Sequence, residues 1–458
     1  LSPSLEINQL QLSKFFPLMI QTPVFSLWHN KLFVLAMLTS DCNFCSNVKE
    51  KFSFVPDLFG GSLNVVFFWL HVGFALIICL GFILRILKTK RVLLCQYRIT
   101  IKTDEQEVLP MKFLEEVAQQ SSTLHELVAY YRGKGGELLK EAKHLASRRL
   151  RSIVFAGMGT SEIVPLVCRD YLGERMRTPV VIWEAGELLH YGMGNIRDDD
   201  LIILVSQSGE SIETRKVADL LRFHNMVISV TNNSESSIAR WSTLDLPMVA
   251  GEESAISTKT YTNSLAVMLL LSRAIPGDDW EYEVLRPLCQ IADSMKTFLA
   301  ERQFEIETAS EFLRDARTLY FVSRGPAMAA AKQAALTFQE GVHVFATALC
   351  GGSMRHGPFE VVGPGHYAVV FAPDGEGGNL LRAMASEMAD LGSRVVLFTS
   401  VEMPAHPNIV SIVIEPGIPE LFPLASAVPQ ELLLAQMATS RGLVPGNFRY
   451  GSKVTSRE

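Results

Sequence analysis

Residues 201–211 read LIILVSQSGES, and this stretch predicts the fold of the surrounding chain. Residues 201–205 carry no polar side chain, as is typical of a parallel strand that is buried on both faces. Small hydroxyl side chains and a glycine follow, and a helical pattern begins at about Ile212. Such a junction presents backbone N–H groups, hydroxyl donors and the positive end of a helix at one point. It indicates an anion site suited to a phosphate, or, as the simpler alternative, a serine-rich helix cap.

A second loop of the same kind lies about fifty residues earlier in the chain. Residues 154–161 read VFAGMGTS, so Thr160 and Ser161 are expected at the carboxyl end of a neighbouring strand. Ligands of open α/β sheets bind in the crevice outside these strand ends. The two loops lack the glycine-rich patterns of phosphate-loop ATPases and dinucleotide-binding folds, and the serine-rich loop contains no Lys or Arg. They are therefore better suited to a single phosphomonoester than to a nucleotide.

Composition limits the classes of partner and cofactor. The chain has 458 residues, which suggests two or three domains, and its formal net charge of -6 argues against nucleic acid as the main partner. Of the seven cysteines, only Cys42 and Cys45 form a close pair, and no second pair completes a zinc site. The sequence predicts neither a metal site nor an organic cofactor.

The first 110 residues differ in character from the remainder. Residues 63–84 contain no charged side chain, and an apolar stretch of about twenty residues is long enough to cross a bilayer. The basic residues that follow are Arg85, Lys88, Lys90 and Arg91. They predict that the following part, which carries the chemistry, is cytoplasmic. Two interpretations stay open: a hydrophobic N-terminal extension that anchors the protein, or upstream sequence with Met111 as the working start.

Beyond residue 111 the chain repeats itself at a nearly constant offset. Three apolar segments recur 166–168 residues later: 154–157 in 320–323, 203–205 in 369–371, and 227–231 in 395–399. This repetition predicts an α/β fold of two tandem αβα units. Each unit is expected to hold a parallel sheet of about five strands flanked by helices, with right-handed crossovers.

The two predicted units differ at the loops that carry the phosphate donors. Residues 326–327 are Pro and Ala where residues 160–161 are Thr and Ser. Residues 372–375 read APDG where residues 206–209 read SQSG. The second unit has thus lost the hydroxyl donors, and we expect one phosphate site per chain, in the first unit.

The second unit contains two candidate proton-transfer residues. A helix is predicted from Pro326 to Gln339, with Glu340 in its last turn and Gly341 just past its end. The negative end of the helix dipole should raise the pKa of Glu340, which suits proton abstraction next to a carbonyl, although a solvated glutamate is the alternative. His356, in the turn GGSMRHGP, is either a proton shuttle or an ordinary surface histidine.

Several segments together resemble the double SIS (sugar isomerase) domain family. They are GMGTS at 157–161, SQSGES at 206–211, AGEESAISTKTYTNSLA at 250–266, QEGVHVFATALCGGSMRHGP at 339–358 and FRYGSKVTSRE at 448–458. The resemblance covers roughly residues 111–458. It is nearest to the isomerase half of glucosamine-6-phosphate synthase and to amino-sugar-6-phosphate deaminases and isomerases.

The resemblance implies a role for each matching residue. The residues implied to hold the sugar 6-phosphate are Thr160, Ser161, Ser206, Gln207, Ser208 and Ser211. Ala255 and Ser257 would contact the sugar, and Glu340 would move a proton between C1 and C2. His356 would assist ring opening, and Lys453 in the C-terminal tail would close over the site and engage the carbonyl end. The family also implies a homodimer with shared active sites, in which His356 comes from the partner chain.

Two departures separate the chain from the synthase. The synthase has a lysine three residues before its catalytic glutamate, where this chain has Thr337, and residues 1–110 do not resemble a glutaminase domain. We therefore expect a sugar-6-phosphate isomerase or deaminase, converting a substrate such as glucosamine 6-phosphate to fructose 6-phosphate and ammonia. The alternatives are a synthase-like isomerase that uses ammonia or a partner glutaminase, and a non-catalytic phosphosugar sensor.

The expected organisation combines these inferences. The predicted parts are the hydrophobic extension 1–110, leading helices 111–145, a first SIS domain 146–305, a second SIS domain 306–441 and a closing tail 442–458. The phosphate site is assigned to the first domain and the catalytic Glu and His to the second. Contact with a membrane is expected only through the extension.

Overall fold

The computed structural model describes residues 112–453. The charge-free stretch 63–84, predicted as a membrane span, lies outside the described residues. Within residues 112–453, none of the helices combines the length and the apolar character that a bilayer crossing demands. The described part opens with two helices, α1 (Lys112–Arg132) and α2 (Lys134–Leu145).

A five-stranded parallel sheet follows the two leading helices. Its strands are β1 (Ile153–Gly157), β2 (Val180–Glu184), β3 (Leu201–Ser206), β4 (Met226–Thr231) and β5 (Leu244–Pro247). Their spatial order is β2-β1-β3-β4-β5. Strands β1 and β3 are neighbours, with Ala156 opposite Leu204, so the loops that leave their carboxyl ends lie side by side. This confirms the predicted adjacency of the two donor loops.

Helices connect and flank the strands of the first sheet. They are α3 (Thr160–Ile163), α4 (Leu166–Met176), α5 (Ala185–Glu187), α6 (Ile212–Leu221), α7 (Ser237–Trp241) and α8 (Lys259–Ala274). Two further helices lead toward the second sheet: α9 (Arg286–Glu301) and α10 (Gln303–Phe312). Strand β3 is buried at every position, as its unbroken apolar sequence predicts.

The second sheet repeats the architecture of the first. Its strands are β6 (Thr318–Ser323), β7 (Phe345–Cys350), β8 (Tyr367–Ala372), β9 (Arg394–Thr399) and β10 (Ile409–Val413). All pair in parallel, in the order β7-β6-β8-β9-β10, which is the order of the first sheet shifted by five strands. The prediction of two parallel sheets of about five strands is confirmed.

The helices of the second unit complete the described chain. They are α11 (Met328–Gly341), α12 (Gly351–Arg355), α13 (Glu376–Asp390), α14 (Phe422–Ala425) and α15 (Ala427–Ser440). Helix α11 begins two residues later than predicted, because residues 325–327 form a separate 3-10 turn. It also includes Gly341, which was predicted just beyond its end.

The core is continuous between the two units because helices from both pack together. Every residue of α8 except Arg273 is buried, including the polar side chains of its first two turns, such as Lys259 and Asn263. Helix α1 contacts α8 and α9, which precede the second sheet in the sequence, and also α15, which follows that sheet. Helix α11 packs on α15 and also against α3 and α4 of the first unit. This packing brings the end of α11 close to the donor loops of the first sheet.

Candidate active site

One cavity of about 250 Å³ collects most of the predicted site residues. The predicted residues that line it are Thr160, Ser161, Ser206, Gln207, Ser208, Ser211, Ser257, Glu340 and Lys453. They come from both donor loops, from α11 and from the C-terminal tail. Residues up to three hundred positions apart in sequence therefore face one space.

The loop after β3 is shaped by its own hydrogen bonds. The Ser206 hydroxyl accepts from the backbone N–H of Gly209 at 3.2 Å, and the Ser208 hydroxyl accepts from the N–H of Glu210 at 3.1 Å. Gly209 has a φ of +65°, and a Cβ there would lie 1.9 Å from the Ser236 hydroxyl, so only glycine fits. Each serine hydroxyl keeps its own hydrogen to donate to a ligand.

Ser211 tests the simpler interpretation of this loop as a helix cap. It occupies the N-cap position of α6, but its side chain makes no capping hydrogen bond. A serine at this position ordinarily accepts from the N–H two or three residues on. The hydroxyl of Ser211 instead lines the cavity, which favours a ligand-binding loop over a helix cap.

The loop after β1 supplies the second set of donors. Gly159 has a φ of +54° and precedes Thr160, the first residue of α3. A Cβ on Gly157 would lie 2.7 Å from the backbone of Ser161, so the chain turns too tightly there for any other residue. The turn directs Thr160 and Ser161 to the same cavity as the serines after β3.

Thr214 is a site residue that the sequence analysis missed. It is fully buried in α6, it lines the cavity, and its hydroxyl has no hydrogen-bond partner in the described part of the chain. A buried hydroxyl without a partner costs about 1–3 kcal/mol, which a ligand could offset. The sequence did contain one indication of this role: Thr214 lies three residues after Ser211, so the two side chains are expected on the same face of the helix.

Glu340 enters the cavity from the last turn of α11. This helix is held against the first unit by an ion pair between Lys332 of α11 and Glu162 of α3, at 3.8 Å. Burial raises the pKa of Glu340 from 4.5 to about 7, and the nearby Lys453 moderates this rise. The pKa of Glu340 is raised, as predicted. The cause is burial, however, and not the helix dipole that the sequence suggested.

Lys453 is held against the loop that precedes α8. Its ammonium donates to the carbonyl oxygen of Ala255 at 2.9 Å and makes a close ion pair with the carboxylate of Glu253. Phe448 and Ser452 of the same tail also line the cavity. The tail therefore lies over the site, with Lys453 between the loop and Glu340.

Two predicted residues are placed differently from the other nine. Ala255 is buried behind the cavity, and its carbonyl group is the acceptor for Lys453. His356 follows α12 and is exposed, and it is not among the residues that line the cavity of this chain. A single chain does not bring His356 to Glu340, so its supply by a partner subunit stays a prediction.

The helix face that leads to Glu340 is buried and uncharged. Thr337, at the position of the synthase lysine, is buried, and its hydroxyl donates to the Gln333 carbonyl at 2.9 Å. One turn earlier, both polar atoms of the Gln333 amide are buried without a partner among the described residues. Within residues 112–453 there is also no group of three or more His, Cys, Asp or Glu side chains placed to hold a metal ion.

The two donor loops lie in a segment that matches a known protein family. A family model described as SIS domain matches residues 145–273, which include both donor loops. Residues 145–273 form an SIS domain. The second sheet lies outside this match, although it has the same strand order.

Curated relatives match over most of the described chain. The "Glutamine--fructose-6-phosphate aminotransferase [isomerizing]" of Oceanobacillus iheyensis is 24% identical over 344 residues, covering 74% of this chain and 57% of its own length. The protein of the same name from Streptococcus pneumoniae is 26% identical, with 73% and 56% covered. The chain thus spans a little over half the length of these relatives.

Solved structures share the fold. The C-terminal domain of glucosamine-fructose-6-phosphate aminotransferase from Francisella tularensis has a TM-score of 0.64 at 19% identity, covering 74% of this chain and 99% of that one. Glucosamine-6-phosphate deaminase from Thermotoga maritima gives 0.59 at 21% identity, covering 75% and 99%. Tagatose-6-phosphate ketose/aldose isomerase from Escherichia coli gives 0.64 at 16%, covering 75% and 96%.

Proposed function

We propose that this chain is an enzyme that binds an amino-sugar 6-phosphate and moves a proton between its C1 and C2 atoms. The proposed reaction converts glucosamine 6-phosphate to fructose 6-phosphate and ammonia. One observation carries the proposal: a half-buried glutamate and a tail lysine line the same cavity as two loops of uncharged hydroxyl donors. Relatives and structural neighbours named as isomerising aminotransferase, deaminase and isomerase support the reaction class.

The donor loops would bind the phosphate. Hydroxyl groups from both loops and the positive end of α6 converge on the cavity, which suits a dianionic phosphomonoester. The proposed phosphate ligands are Thr160, Ser161, Ser206, Gln207, Ser208 and Ser211. Fixing the phosphate at one end places the reacting carbons toward Glu340 and Lys453 at the other.

Glu340 would be the base. In the open-chain aldehyde, its carboxylate takes the proton from C2. The electron pair of the broken C–H bond becomes the C1–C2 double bond, and the negative charge passes to the C1 oxygen, giving the enolamine in its anionic form. Glu340 returns the proton to C1, which leaves an imine at C2. Water then adds to this imine and ammonia leaves, giving the ketone. A pKa of about 7 suits a group that must accept and release a proton near neutral pH.

The other proposed residues act before and around the proton transfer. His356 of a partner subunit would protonate the ring oxygen during ring opening, and Lys453 would stabilise negative charge at the carbonyl end. Ser257 would contact the sugar. This assignment treats the second sheet as a diverged SIS domain and the protein as a homodimer, and the domain boundaries 146–305 and 306–441 remain predictions.

A non-catalytic phosphosugar sensor is the competing function. Such a protein needs the phosphate donors but no base, and burying a carboxylate without use is costly because burial disfavours its charged form. Glu340 is half-buried in the cavity, and this desolvation raises its pKa, which favours the enzyme.

The test is to incubate the full chain with glucosamine 6-phosphate in deuterated water and to assay ammonia, fructose 6-phosphate and deuterium at C1. We expect all three products, and a Glu340→Gln variant should lose roughly two to four orders of magnitude of turnover. Unphosphorylated glucosamine serves as the control substrate. Binding of the phosphosugar without ammonia release or exchange would favour the sensor, and fructose 6-phosphate with ammonia giving glucosamine 6-phosphate would show the amination direction.

A further inference from the structure

The C-terminal tail is attached to the loop before α8 at two points. The backbone N–H of Ile256 donates to the carbonyl oxygen of Gly446 at 3.3 Å, and the ammonium of Lys453 donates to the carbonyl oxygen of Ala255. Phe448 and Ser452, between these two points, line the cavity. The tail segment over the site is therefore held at both of its ends.

The carboxylate that holds Lys453 is fixed before the tail arrives. One oxygen of Glu253 accepts from the N–H and hydroxyl of Thr258, at 2.9 and 3.0 Å, and from the N–H of Thr260 at 3.0 Å. The other oxygen accepts from the Thr260 hydroxyl at 2.6 Å and from Lys453. Because four of these five donors belong to Thr258 and Thr260, at the start of α8, the orientation of the carboxylate does not depend on Lys453.

The loop around Glu253 is rigid for a separate reason. The carboxylate of Glu116 in α1 accepts from the N–H and hydroxyl of Ser254, at 2.7 and 3.0 Å, and from the N–H of Ala255 at 3.3 Å. The Glu253 side chain is completely buried. Both acceptors of the Lys453 ammonium are therefore held by helices of the first unit.

We propose that Glu253 is a positioning residue that docks Lys453 and so closes the tail over the active site. Glu253 is not among the residues that line the described cavity, whereas its partner Lys453 is, so it acts from behind the lysine. The inference extends the proposed function, because it assigns to a buried residue the control of the tail that completes that site.

The electrostatics of Glu253 agree with this role. Burial alone would raise the pKa of Glu253, but Lys453 and the hydrogen bonds from Thr260 outweigh burial and lower it below its usual value. The buried carboxylate is thus kept charged, and a charged acceptor binds an ammonium far more tightly than a neutral one. The same ammonium lies close enough to Glu340 to lower the pKa of that carboxyl.

The experiment measures tail docking without any substrate, so that it does not depend on the proposed reaction. Hydrogen–deuterium exchange and trypsin cleavage after Arg449 and Lys453 are followed on the full chain. Glu253→Gln keeps the side-chain shape but loses the charge, and we expect the tail to exchange and to be cleaved about tenfold faster or more. The matched control is Glu252→Gln, an exposed neighbour whose change should leave the tail protected.

Two further variants separate docking from damage to the loop. Thr260→Val removes a hydrogen bond from the same carboxylate but not the pair with Lys453, so the tail should stay protected. Lys453→Met removes the ion pair with Glu253 from the tail side, so it should release the tail as Glu253→Gln does. The double variant should exchange and be cleaved no faster than either single variant. A protected tail in Glu253→Gln or in Lys453→Met, or a tail released equally by Thr260→Val, would overturn the proposal. If Glu253→Gln does not fold, Lys453→Met alone decides.

Turnover then links docking to catalysis. With glucosamine 6-phosphate as substrate, Glu253→Gln should lower kcat by roughly ten- to a hundredfold, because a misplaced group costs rate, and change KM little, because the phosphate donors are intact. Rescue by Glu253→Asp is not expected, since the shorter side chain cannot span to Lys453. If the parent shows no turnover while the tail data agree, the proposed function fails and the docking role of Glu253 stands.

Discussion

Replacing Glu340 by glutamine should stabilise the folded protein above neutral pH, even though it removes the proposed base. Burial raises the pKa of Glu340 from 4.5 to about 7. At each pH between these two values, the folded state holds a proton that the unfolded state has lost. The stability of the parent must therefore fall as pH rises from about 4.5 through 7, whereas glutamine does not titrate.

The size of the effect follows from the shift. Each pKa unit corresponds to about 1.4 kcal/mol, so the folded parent should lose up to roughly 3 kcal/mol across this window. Below pH 4.5 the carboxyl is neutral in both states, and parent and variant should respond alike to pH. Above pH 7.5 the difference should be constant and near its maximum.

The assay is urea unfolding of the full chain at a series of pH values from 4 to 8.5, on the parent and on Glu340→Gln. Glu402→Gln is the matched control, because Glu402 is exposed and its charge meets water in the folded and the unfolded state alike. The difference in free energy of unfolding between parent and Glu340→Gln should grow through the window, and that for the control should stay flat. Equal pH dependence in the parent and Glu340→Gln would refute the burial argument.

Three other predictions concern ligand binding and the tail. Ser208→Ala and Ser161→Ala should each weaken binding of a sugar 6-phosphate about ten- to a hundredfold in calorimetric titration; equal affinity of the parent for phosphorylated and unphosphorylated sugar would contradict the assignment. Thr214→Val should weaken the same binding about tenfold without lowering Tm, because the buried hydroxyl has no partner to lose, whereas unchanged affinity would exclude it as a ligand. Removing residues 452–458 should abolish turnover and leave Tm nearly unchanged, since Ser452 and Lys453 belong to no helix or strand; full activity of the truncated chain would contradict a closing role.

The sheets could be predicted because their sequence signals are local and strong. A fully apolar run such as residues 201–205 has few alternatives to a buried parallel strand, and its repetition near 166 residues later identifies the second sheet. The donor loops could be predicted for the same reason, since the end of each strand is marked by Gly, Ser and Thr. Adjacency of β1 and β3 then follows from the usual strand order of such units.

The properties of the candidate site that depend on distant contacts could not be predicted. The pKa of Glu340 is set by burial that comes from several elements, and a helix pattern alone suggests only the dipole. Glu253 and Lys453 are two hundred residues apart, and no spacing rule relates them. Thr214 was missed although it lies three residues after Ser211, because the unfilled hydrogen-bonding position of its hydroxyl becomes evident only in three dimensions.

The corresponding loops of the two units differ in a way that accounts for the proposed base and phosphate donors lying on different units. In the second unit, the loop that corresponds to the serine-rich loop is filled by protein: Arg382, nearly buried, donates to the carbonyl oxygens of Ala372 and Pro373, each at 3.0 Å. The carboxylate of Asp374 in this loop accepts a hydrogen bond from the Ser400 hydroxyl and lies close to Gly417. The Arg382 guanidinium thus occupies the carbonyl acceptors of this loop, whereas the corresponding loop of the first unit faces the cavity.

The helices that follow β1 and β6 begin differently in the two units. In the first unit, the helix that follows β1 begins with the donors Thr160 and Ser161. In the second, the matching residues Pro326 and Ala327 carry no side-chain donor and lie in the 3-10 turn before α11. Helix α11 packs against α3, and Glu340 in its last turn lines the same cavity as the donor loops of the other unit. In the proposed function the first unit holds the phosphate and the second supplies the base, so the reacting carbons would lie between the two units. A base placed within the first unit would instead share the positive helix ends that bind the phosphate, which would lower its pKa and weaken it as a proton acceptor.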